Sequence, residues 1–278
     1  MDVEEALLSS LSGAQGPSEL TEALTGLSRK LDQLIRLADD QVHLQRVSLL
    51  EPGHILRFFA ADGQPVALSL PEAQDDYMQR VILRTRTFFE AKLLSMIHSM
   101  DLVDPASTIC DVGANIGNHT VYFARMMGVG RVLCFEPQPM CYATLTTNID
   151  LNGLSNHATA YNCLIGAVTG NGRLARFNAR NLGGTAFEQA ADGAIPMFAL
   201  DDVITSEDLN SLDLIKIDVE GMQIDVLKGA EGVLDARKPA LWVEVLEKDR
   251  SFGDTAEFLG RFGYKSEKLG PNDFLFRI

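Results

Sequence analysis

The chain has 278 residues, of which 46% are hydrophobic, and its 24 Lys and Arg against 38 Asp and Glu give a formal net charge of −14. This acidity argues against a nucleic-acid partner, because contacts to phosphates need clustered Lys and Arg. No apolar run is long enough to predict a transmembrane segment, and the first residues lack the pattern of a secretory signal. The four cysteines are expected to be reduced core residues. We therefore expect a soluble, cytoplasmic protein with one large domain and an appendage.

The appendage is a helical arm predicted over residues 1–50. Its leucines from Leu20 to Leu34 alternate steps of four and three residues, which is the period of a coiled-coil seam. Two interpretations stay open. The leucine stripe either packs on the rest of the same chain or joins copies of residues 18–45 in a homodimer or homotrimer.

Residues 51–104 are predicted to form a hairpin and covering helices. Asp62-Gly63 lies between two apolar runs and is typical of a hairpin turn. Apolar residues at near-helical spacing over 75–100 then predict one or two helices over the entrance to the remaining domain.

Strands and helices alternate over residues 105–278, which predicts a mostly parallel sheet covered on both faces. Such sheets bind ligands at the carboxyl ends of their strands. Residues 166–206 interrupt the alternation and are expected to contact the substrate, with an ordinary hairpin excursion as the alternative. The predicted elements are strand 108–112, helix 117–127, strand 131–135, helix 138–152, a strand around 157–165, strand 213–218, helix 221–234, strand 240–246, helix 255–262, and an antiparallel pair near 264–269 and 273–278.

A glycine turn follows the first strand of this domain. Asp111 precedes Gly113 and Gly117, which let the backbone approach a ligand closely. The next helix directs free N–H groups and a partial positive charge at the turn. Glu136, followed by Pro137, ends the second strand, where an acidic side chain can accept hydrogen bonds from ribose hydroxyls.

The spacing of this turn distinguishes two cofactor classes. A dinucleotide fingerprint needs three glycines to admit a pyrophosphate, whereas this turn has two, with the carboxylate of Asp111 beside them. A carboxylate there suits an ammonium or a sulfonium group. The turn therefore predicts a site for S-adenosylmethionine, with a ligand-free strand-to-helix connection as the alternative, and it argues against a nicotinamide-dependent oxidoreductase.

Three further carboxylates fall near strand ends: Asp218, Glu220 and Glu244. Glu220 has the alternative role of a first-turn helix residue, and Glu244 that of a structural partner of Lys216. Together they could hold Mg²⁺. We do not favour this alternative and predict no metal site, because no histidine is placed to complete one, and His119 is interpreted as a helix-start residue or a cofactor neighbour.

Three runs, 111–120, 134–138 and 216–230, closely resemble the FkbM-type S-adenosylmethionine-dependent methyltransferases. The resemblance covers residues 75–246 and is most specific in Lys-Ile-Asp-Val-Glu-Gly. It implies an α/β class I methyltransferase fold, with a Rossmann-like, seven-stranded, mostly parallel sheet and an antiparallel C-terminal hairpin. It also implies O-methylation, typically of a sugar or natural-product hydroxyl.

The resemblance assigns roles to individual residues. The methionine end of the cofactor would be held by Asp111, Gly113, Ala114, Asn115 and Gly117. Glu136 with Pro137 would hold the ribose, Asn162 and Cys163 would lie by the adenine, and Asp218 would face the reacting centre. Asp218 is predicted as the base or as the residue that orients the hydroxyl, with Glu220 in support. The alternative function is a cofactor-binding scaffold that recruits a partner through the helical arm without turnover.

Overall fold

A computed structural model describes residues 17–245 and 251–278. The chain divides into two compact units, with the boundary between Leu49 and Leu50. In the first unit the structure describes one helix, α1 (Pro17–Ser48), and the first sixteen residues of the predicted arm lie outside the described residues. Among the predicted stripe, Leu24, Leu31 and Leu34 are each more than half exposed.

The second unit opens with the predicted hairpin, β1 (Ile55–Phe59) and β2 (Pro65–Ser69), paired antiparallel. Two amide side chains, one in the last turn of a later helix and one just after its end, bind the free edge of β2. Asn152 exchanges hydrogen bonds with both backbone groups of Ala67, and Asn148 exchanges them with both backbone groups of Ser69. One helical turn thus replaces a neighbouring strand and fixes the hairpin to the sheet domain.

Two covering helices follow, as predicted: α2 (Tyr77–Thr85) and α3 (Ala91–His98). Asp76 caps α2, because its side chain accepts a hydrogen bond from the Gln79 N–H.

The main sheet has seven strands and confirms the predicted fold class. Its five parallel strands lie side by side, and the last two strands form an antiparallel hairpin at one edge. The strand order is β12-β13-β11-β10-β3-β4-β5, with bounds β3 Thr108–Val112, β4 Arg131–Phe135, β5 Ala158–Tyr161, β10 Leu212–Ile217, β11 Ala240–Glu244, β12 Lys265–Lys268 and β13 Asp273–Arg277.

Helices cover both faces of this sheet, and two of their predicted bounds are wrong. The predicted helix 221–234 is two short helices, because Gly229 lies against the backbone of Gly166 and the chain turns there. The last helix begins at Ser251, earlier than predicted. The bounds are α4 Asn118–Arg125, α5 Pro139–Leu151, α6 Leu200–Val203, α7 Ser206–Ser211, α8 Gln223–Lys228, α9 Glu231–Ala236 and α10 Ser251–Gly260.

The predicted strand 157–165 is wrong as a single strand. After β5 the chain leaves the main sheet and forms β6 (Leu164–Ile165) in a second, four-stranded sheet of order β6-β9-β7-β8. The other strands of this sheet come from the segment 166–206, which also contains a short 3₁₀ turn. Their bounds are β7 Gly170–Arg176, the turn Leu182–Gly184, β8 Ala186–Gln189 and β9 Ile195–Phe198.

The central strands β3 and β10 are buried along almost their whole length, as expected for parallel strands covered on both faces. Within the part of the chain that the structure describes, no helix is long and apolar enough to cross a membrane.

Candidate active site

The glycine turn between β3 and α4 forms the floor of the candidate site. Gly113, Asn115 and Gly117 all have positive φ, at +82°, +51° and +83°. A Cβ on Gly113 would overlap the carbonyl oxygen of Asp218, and a Cβ on Gly117 would lie 2.6 Å from the Leu145 side chain. Backbone packing therefore requires glycine at 113 whatever ligand binds above it, whereas at 117 the positive φ is the reason for glycine, because the Leu145 side chain could move.

Glu136 follows β4 and closes the turn from the side. Its Oε2 accepts a hydrogen bond from the Asn115 N–H at 2.8 Å, and its Oε1 accepts one from the Gln138 N–H at 2.8 Å. Burial raises the pKa of Glu136 to about 7, although the two backbone hydrogen bonds oppose the rise. Each carboxylate oxygen has a second lone pair, so the group can still accept hydrogen bonds from a ligand.

Asn162 and Cys163 follow β5, next to Glu136. The Asn162 amide donates to the carbonyl oxygens of Glu136 at 2.8 Å and Pro137 at 3.2 Å, so it fixes the backbone on which Glu136 sits. Cys163 is buried in the wall of the adjoining cavity. Burial raises the pKa of its thiol to about 12, so it contributes a small apolar surface.

Lys216 in β10 is buried between two carboxylates. Its Nζ lies 3.4 Å from Asp111 Oδ1 and 3.3 Å from Asp218 Oδ2. Burial alone would lower the pKa of Lys216, but the charges of Asp218 and Asp111 raise it above its ordinary value, so the ammonium stays charged. Asp111 also accepts a hydrogen bond from the Thr120 hydroxyl. Asp111 is fully buried beneath the site and does not line it.

Asp218 and Glu244 lie at the ends of the neighbouring strands β10 and β11, where their carboxyl groups interact with each other. Burial opposes the ionisation of Asp218, but Lys216 outweighs it and holds the pKa of Asp218 below its ordinary value. The charge of Asp218, together with burial, raises the pKa of Glu244 to about 10. At neutral pH the pair therefore keeps one proton. Lys216 lies beside Asp218 and stabilises its charge, so Glu244 is the favoured carrier of the proton.

Glu220 lies in the turn after β10 rather than in the first turn of a helix. Its φ is +47°, and α8 begins three residues later, at Gln223. Glu220 is half-buried; burial and the charge of Asp218 raise its pKa. Its position beside Asp218 is the one expected for a second acidic group at the mouth of the site.

His119 and Glu90 face each other on the other side of the turn. His119 Nε2 lies 3.3 Å from Glu90 Oε2, and the imidazole packs edge-to-face on Trp242 with ring centroids 5.2 Å apart. The contact with Glu90 lacks hydrogen-bond geometry, and among the described residues the buried His119 Nε2 has no hydrogen-bond partner. The rings of Tyr77 and Phe89 pack edge-to-face nearby, with centroids 6.1 Å apart.

Two cavities meet at this turn. The first, of about 580 Å³, is lined by Glu136, Pro137 and Cys163. The second, of about 720 Å³, is lined by Lys216, Glu244 and the pairs His119/Glu90 and Tyr77/Phe89. Five residues line both cavities and mark their junction: Gly113, Asn115, Gly183, Asp218 and Glu220.

Two segments, the start of α2 and the 3₁₀ turn Leu182–Gly184, together form a roof over the junction of the two cavities. Asp76, buried at the start of α2, accepts hydrogen bonds from the N–H groups of Gln79 and Leu182, the latter at 2.7 Å. The Tyr77 N–H donates to Arg180 O. Asp76 thereby joins α2 to the 3₁₀ turn that lies over the junction.

Most of the predicted site residues come together at the junction. Gly113, Asn115, Glu136, Pro137 and Cys163 line the first cavity, Ala114 lines the second, and Asp218 and Glu220 line both. The structure places Asp111, Gly117 and Asn162 behind this lining, where they hold the residues that form it.

From the sequence, Phe88, Phe89 and Glu90 could close over the cofactor, with the two phenylalanines as core residues the favoured alternative; the structure places Phe89 and Glu90 in the wall of the second cavity. Sequence reasoning did not identify Tyr77 in that wall, or Asp76, which joins α2 to the 3₁₀ turn. The helical spacing around these two residues carries no separate signal for a site. Within the described residues, no group of three or more His, Cys, Asp or Glu side chains is arranged to hold a metal ion.

The comparisons with known proteins decide the family. A model of the methyltransferase FkbM domain matches residues 111–266, which is more than half of the chain. The chain belongs to the FkbM methyltransferase family. The match begins at the glycine turn and includes Glu136, Lys216, Asp218 and Glu244.

Two fungal proteins are similar to this FkbM-family chain. It is 28% identical to methyltransferase sdnD from Sordaria araneosa in a 168-residue alignment that covers 48% of this chain and 65% of that protein. It is 28% identical to methyltransferase 1 from Beauveria bassiana in a 149-residue alignment that covers 45% of this chain and 59% of that protein. The chain thus matches less than two thirds of the length of either relative.

Among solved structures, the chain is similar to methyltransferase FkbM from Methylobacillus flagellatus KT. The TM-score is 0.48 and the identity 21%, over 63% of this chain and 44% of the other. The matched family region excludes α1, the hairpin and the two covering helices. In this FkbM-family member, the Tyr77/Phe89 wall and Glu90 therefore come from outside the family domain.

Proposed function

We propose that this chain is an S-adenosylmethionine-dependent O-methyltransferase that acts on a hydroxyl group of a sugar or natural-product acceptor. The observation that carries the proposal is the meeting of two cavities at Asp218. The first has the features of a nucleoside site, and the second opens onto the same carboxylate from the other side.

The residues of the first cavity fit this cofactor. Glu136 is positioned to accept hydrogen bonds from the ribose hydroxyls, and Cys163 offers an apolar wall for the adenine. At the junction, Asn115 Oδ1 is buried without a hydrogen-bond partner among the described residues, so it has an acceptor free for a ligand N–H. An acidic junction suits a cation and opposes a pyrophosphate, which argues against a dinucleotide.

Asp111 has an indirect part in this proposal. It is fully buried and pairs with Lys216, so we assign it to fixing Lys216 and the floor of the site. Gly113, Ala114, Asn115 and Gly117 shape the floor above it.

When bound, S-adenosylmethionine supplies a methyl group already activated by a sulfonium, and the protein's task is to position an acceptor oxygen. Positioning can provide roughly 7–11 kcal/mol of the barrier reduction. Asp218, ionised and held by Lys216, accepts a hydrogen bond from the acceptor and orients it. Glu220, which lines both cavities beside Asp218, supports this orientation of the acceptor. Because the pKa of Asp218 is lowered, we assign Asp218 to orienting the hydroxyl; the proton that the hydroxyl loses as the oxygen–methyl bond forms and the methyl–sulfur bond breaks passes on to solvent.

Calorimetric titration with S-adenosylmethionine, S-adenosylhomocysteine and NAD tests the cofactor. We expect saturable binding of the first two and none of NAD. Transfer of a labelled methyl group to a panel of sugars and hydroxylated natural products then tests the reaction. Absence of binding to both adenosyl compounds would refute the proposal.

The exposed leucines of α1 support a second, additional role. A 32-residue helix with a 3.5-residue leucine period suits a homodimeric or homotrimeric coiled coil over residues 18–45. Sedimentation velocity of the full chain, compared with a Leu31→Ser/Leu34→Ser variant, tests this role. We expect an oligomer for the first and a monomer for the second. A scaffold without turnover remains the alternative function if the oligomer forms and no methyl transfer is measured.

We also propose a reducing, cytoplasmic compartment. All four cysteines are buried free thiols, and such residues behave as core hydrophobes in a reducing environment.

A further inference from the structure

The second cavity contains more acidic than basic side chains. Four carboxyl groups line it, those of Glu90, Asp218, Glu220 and Glu244. Its one lysine, Lys216, lies within 3.4 Å of both Asp218 and the buried Asp111, so its charge is shared between them. The remaining carboxyl groups have no buried lysine or arginine in the described lining.

The acidic groups of this cavity show the effect of that imbalance on their pKa values. Asp218 and burial raise the pKa of Glu244 to about 10, and burial and Asp218 raise that of Glu220. Arg176 opposes the second shift from outside the lining, but less strongly. The cluster therefore binds a proton that an isolated carboxylate would release.

Two further features of the cavity indicate a ligand. His119 is 6% exposed and lines the cavity; its Nε2 lies 3.3 Å from Glu90 Oε2 without hydrogen-bond geometry, so neither atom is fully satisfied by the other. The rings of Tyr77 and Phe89 form an aromatic wall beside Glu90. The faces of aromatic rings attract cations.

We propose that the methyl acceptor carries a protonated amine, which binds in the second cavity between the carboxyl groups and the aromatic wall. The inference rests on the proposed function, because it takes this cavity as the acceptor side. A neutral polyol would also donate hydrogen bonds to the carboxylates but would leave their charge uncompensated. An anionic acceptor would be repelled.

A binding comparison tests the charge of the acceptor without requiring turnover. Matched probes are glucosamine against glucose, and tyramine against 4-hydroxyphenylethanol, titrated into the full chain saturated with S-adenosylhomocysteine at neutral pH. We expect the amine of each pair to bind about tenfold more tightly, with a preference that weakens as salt is added.

Equal affinity, tighter binding of the neutral probe, or no detectable binding of either member in both pairs would overturn the inference. A preference for the amine that disappears when S-adenosylhomocysteine is bound would also overturn it, because the cation site would then belong to the cofactor. Methyl transfer confined to uncharged acceptors would refute the inference while leaving the proposed function intact.

Substitution separates a specific site from the overall acidity of the chain. Glu90→Gln keeps the size of the side chain, and we expect it to reduce the amine preference about threefold or more. The matched control is Asp192→Asn, at a carboxylate whose side chain is 84% exposed and which lies outside both cavities. Equal losses in the two variants would contradict a role for Glu90.

Discussion

Asp218 and Glu244 bring two carboxyl groups together at the ends of adjacent parallel strands. The register of β10 and β11 pairs Ile217 with Val243, so the residues that follow present their carboxyl groups side by side. Two carboxylates this close cannot both ionise at neutral pH. Lys216 lies beside Asp218 and decides which of them keeps the charge.

This arrangement predicts a pH-dependent cost to stability. The pKa of Glu244 is raised from 4.5 to about 10. Below pH 4.5 the group is protonated in both states and does not change the free energy of unfolding. As pH rises from there towards about 10, the unfolded state ionises more readily than the folded state, so the free energy of unfolding falls. Glu244→Gln cannot ionise and keeps a donor group beside Asp218. We expect its melting temperature to fall less than that of the wild type as pH is raised from about 5 to about 9.

Differential scanning calorimetry across that range measures the effect. Glu188→Gln, at an exposed carboxylate paired with Arg173, is the control and should follow the wild type. Parallel pH profiles for Glu244→Gln and the wild type would mean that Glu244 ionises normally.

Asp218→Asn is predicted to separate catalysis from cofactor binding. The amide keeps the shape of the side chain but removes the charge that orients the acceptor, so we expect kcat to fall about 10²–10⁴-fold. Cofactor affinity should stay close to that of the wild type, because Glu136 and the floor of the first cavity are unchanged. Labelled methyl transfer and calorimetry measure the two quantities. A variant that retains full turnover would exclude Asp218 from the reaction.

Cofactor affinity should depend on the ionisation of Glu136. Its pKa is raised to about 7, so the carboxylate that accepts from ribose hydroxyls is lost as pH falls below neutrality. We expect the affinity for S-adenosylhomocysteine to decline between about pH 8 and about pH 6. Glu136→Gln should bind about tenfold more weakly or worse, with little change over this range. If the variant and the wild type show the same pH dependence, another group controls binding.

The acidic residues at the strand ends could be predicted from the sequence, because the carboxyl ends of parallel strands lie together at one edge of a sheet. Glu136, Asp218 and Glu244 follow directly from that rule. The role of Asp111 does not. Side chains alternate between the faces of a strand, and a run buried on both faces gives no pattern by which to tell which carboxylate points to the cavity.

The second cavity could not be predicted because its wall and roof depend on contacts between distant segments. Asp76 binds the Leu182 N–H from 106 positions away. Local periodicity predicts that α2 is a helix and that residues 166–206 are irregular, but it carries no information about their meeting. The prediction of a single strand over 157–165 was wrong for a related reason: only two residues separate β5 from β6, yet the two strands belong to different sheets.

The glycine turn allows a paired test of packing against backbone strain. Gly113 and Gly63 both have φ of +82°, but a Cβ would overlap Asp218 O at Gly113 and meet open space at Gly63. Gly63→Ala should therefore lower the free energy of unfolding by only about 1 kcal/mol, which is the strain of an alanine in the left-handed region. Gly113→Ala adds a backbone overlap that no side-chain rotation relieves, so we expect a loss of about 3 kcal/mol or more. Urea unfolding measures both losses, and equal values would show that β3 and the end of β10 can separate without cost.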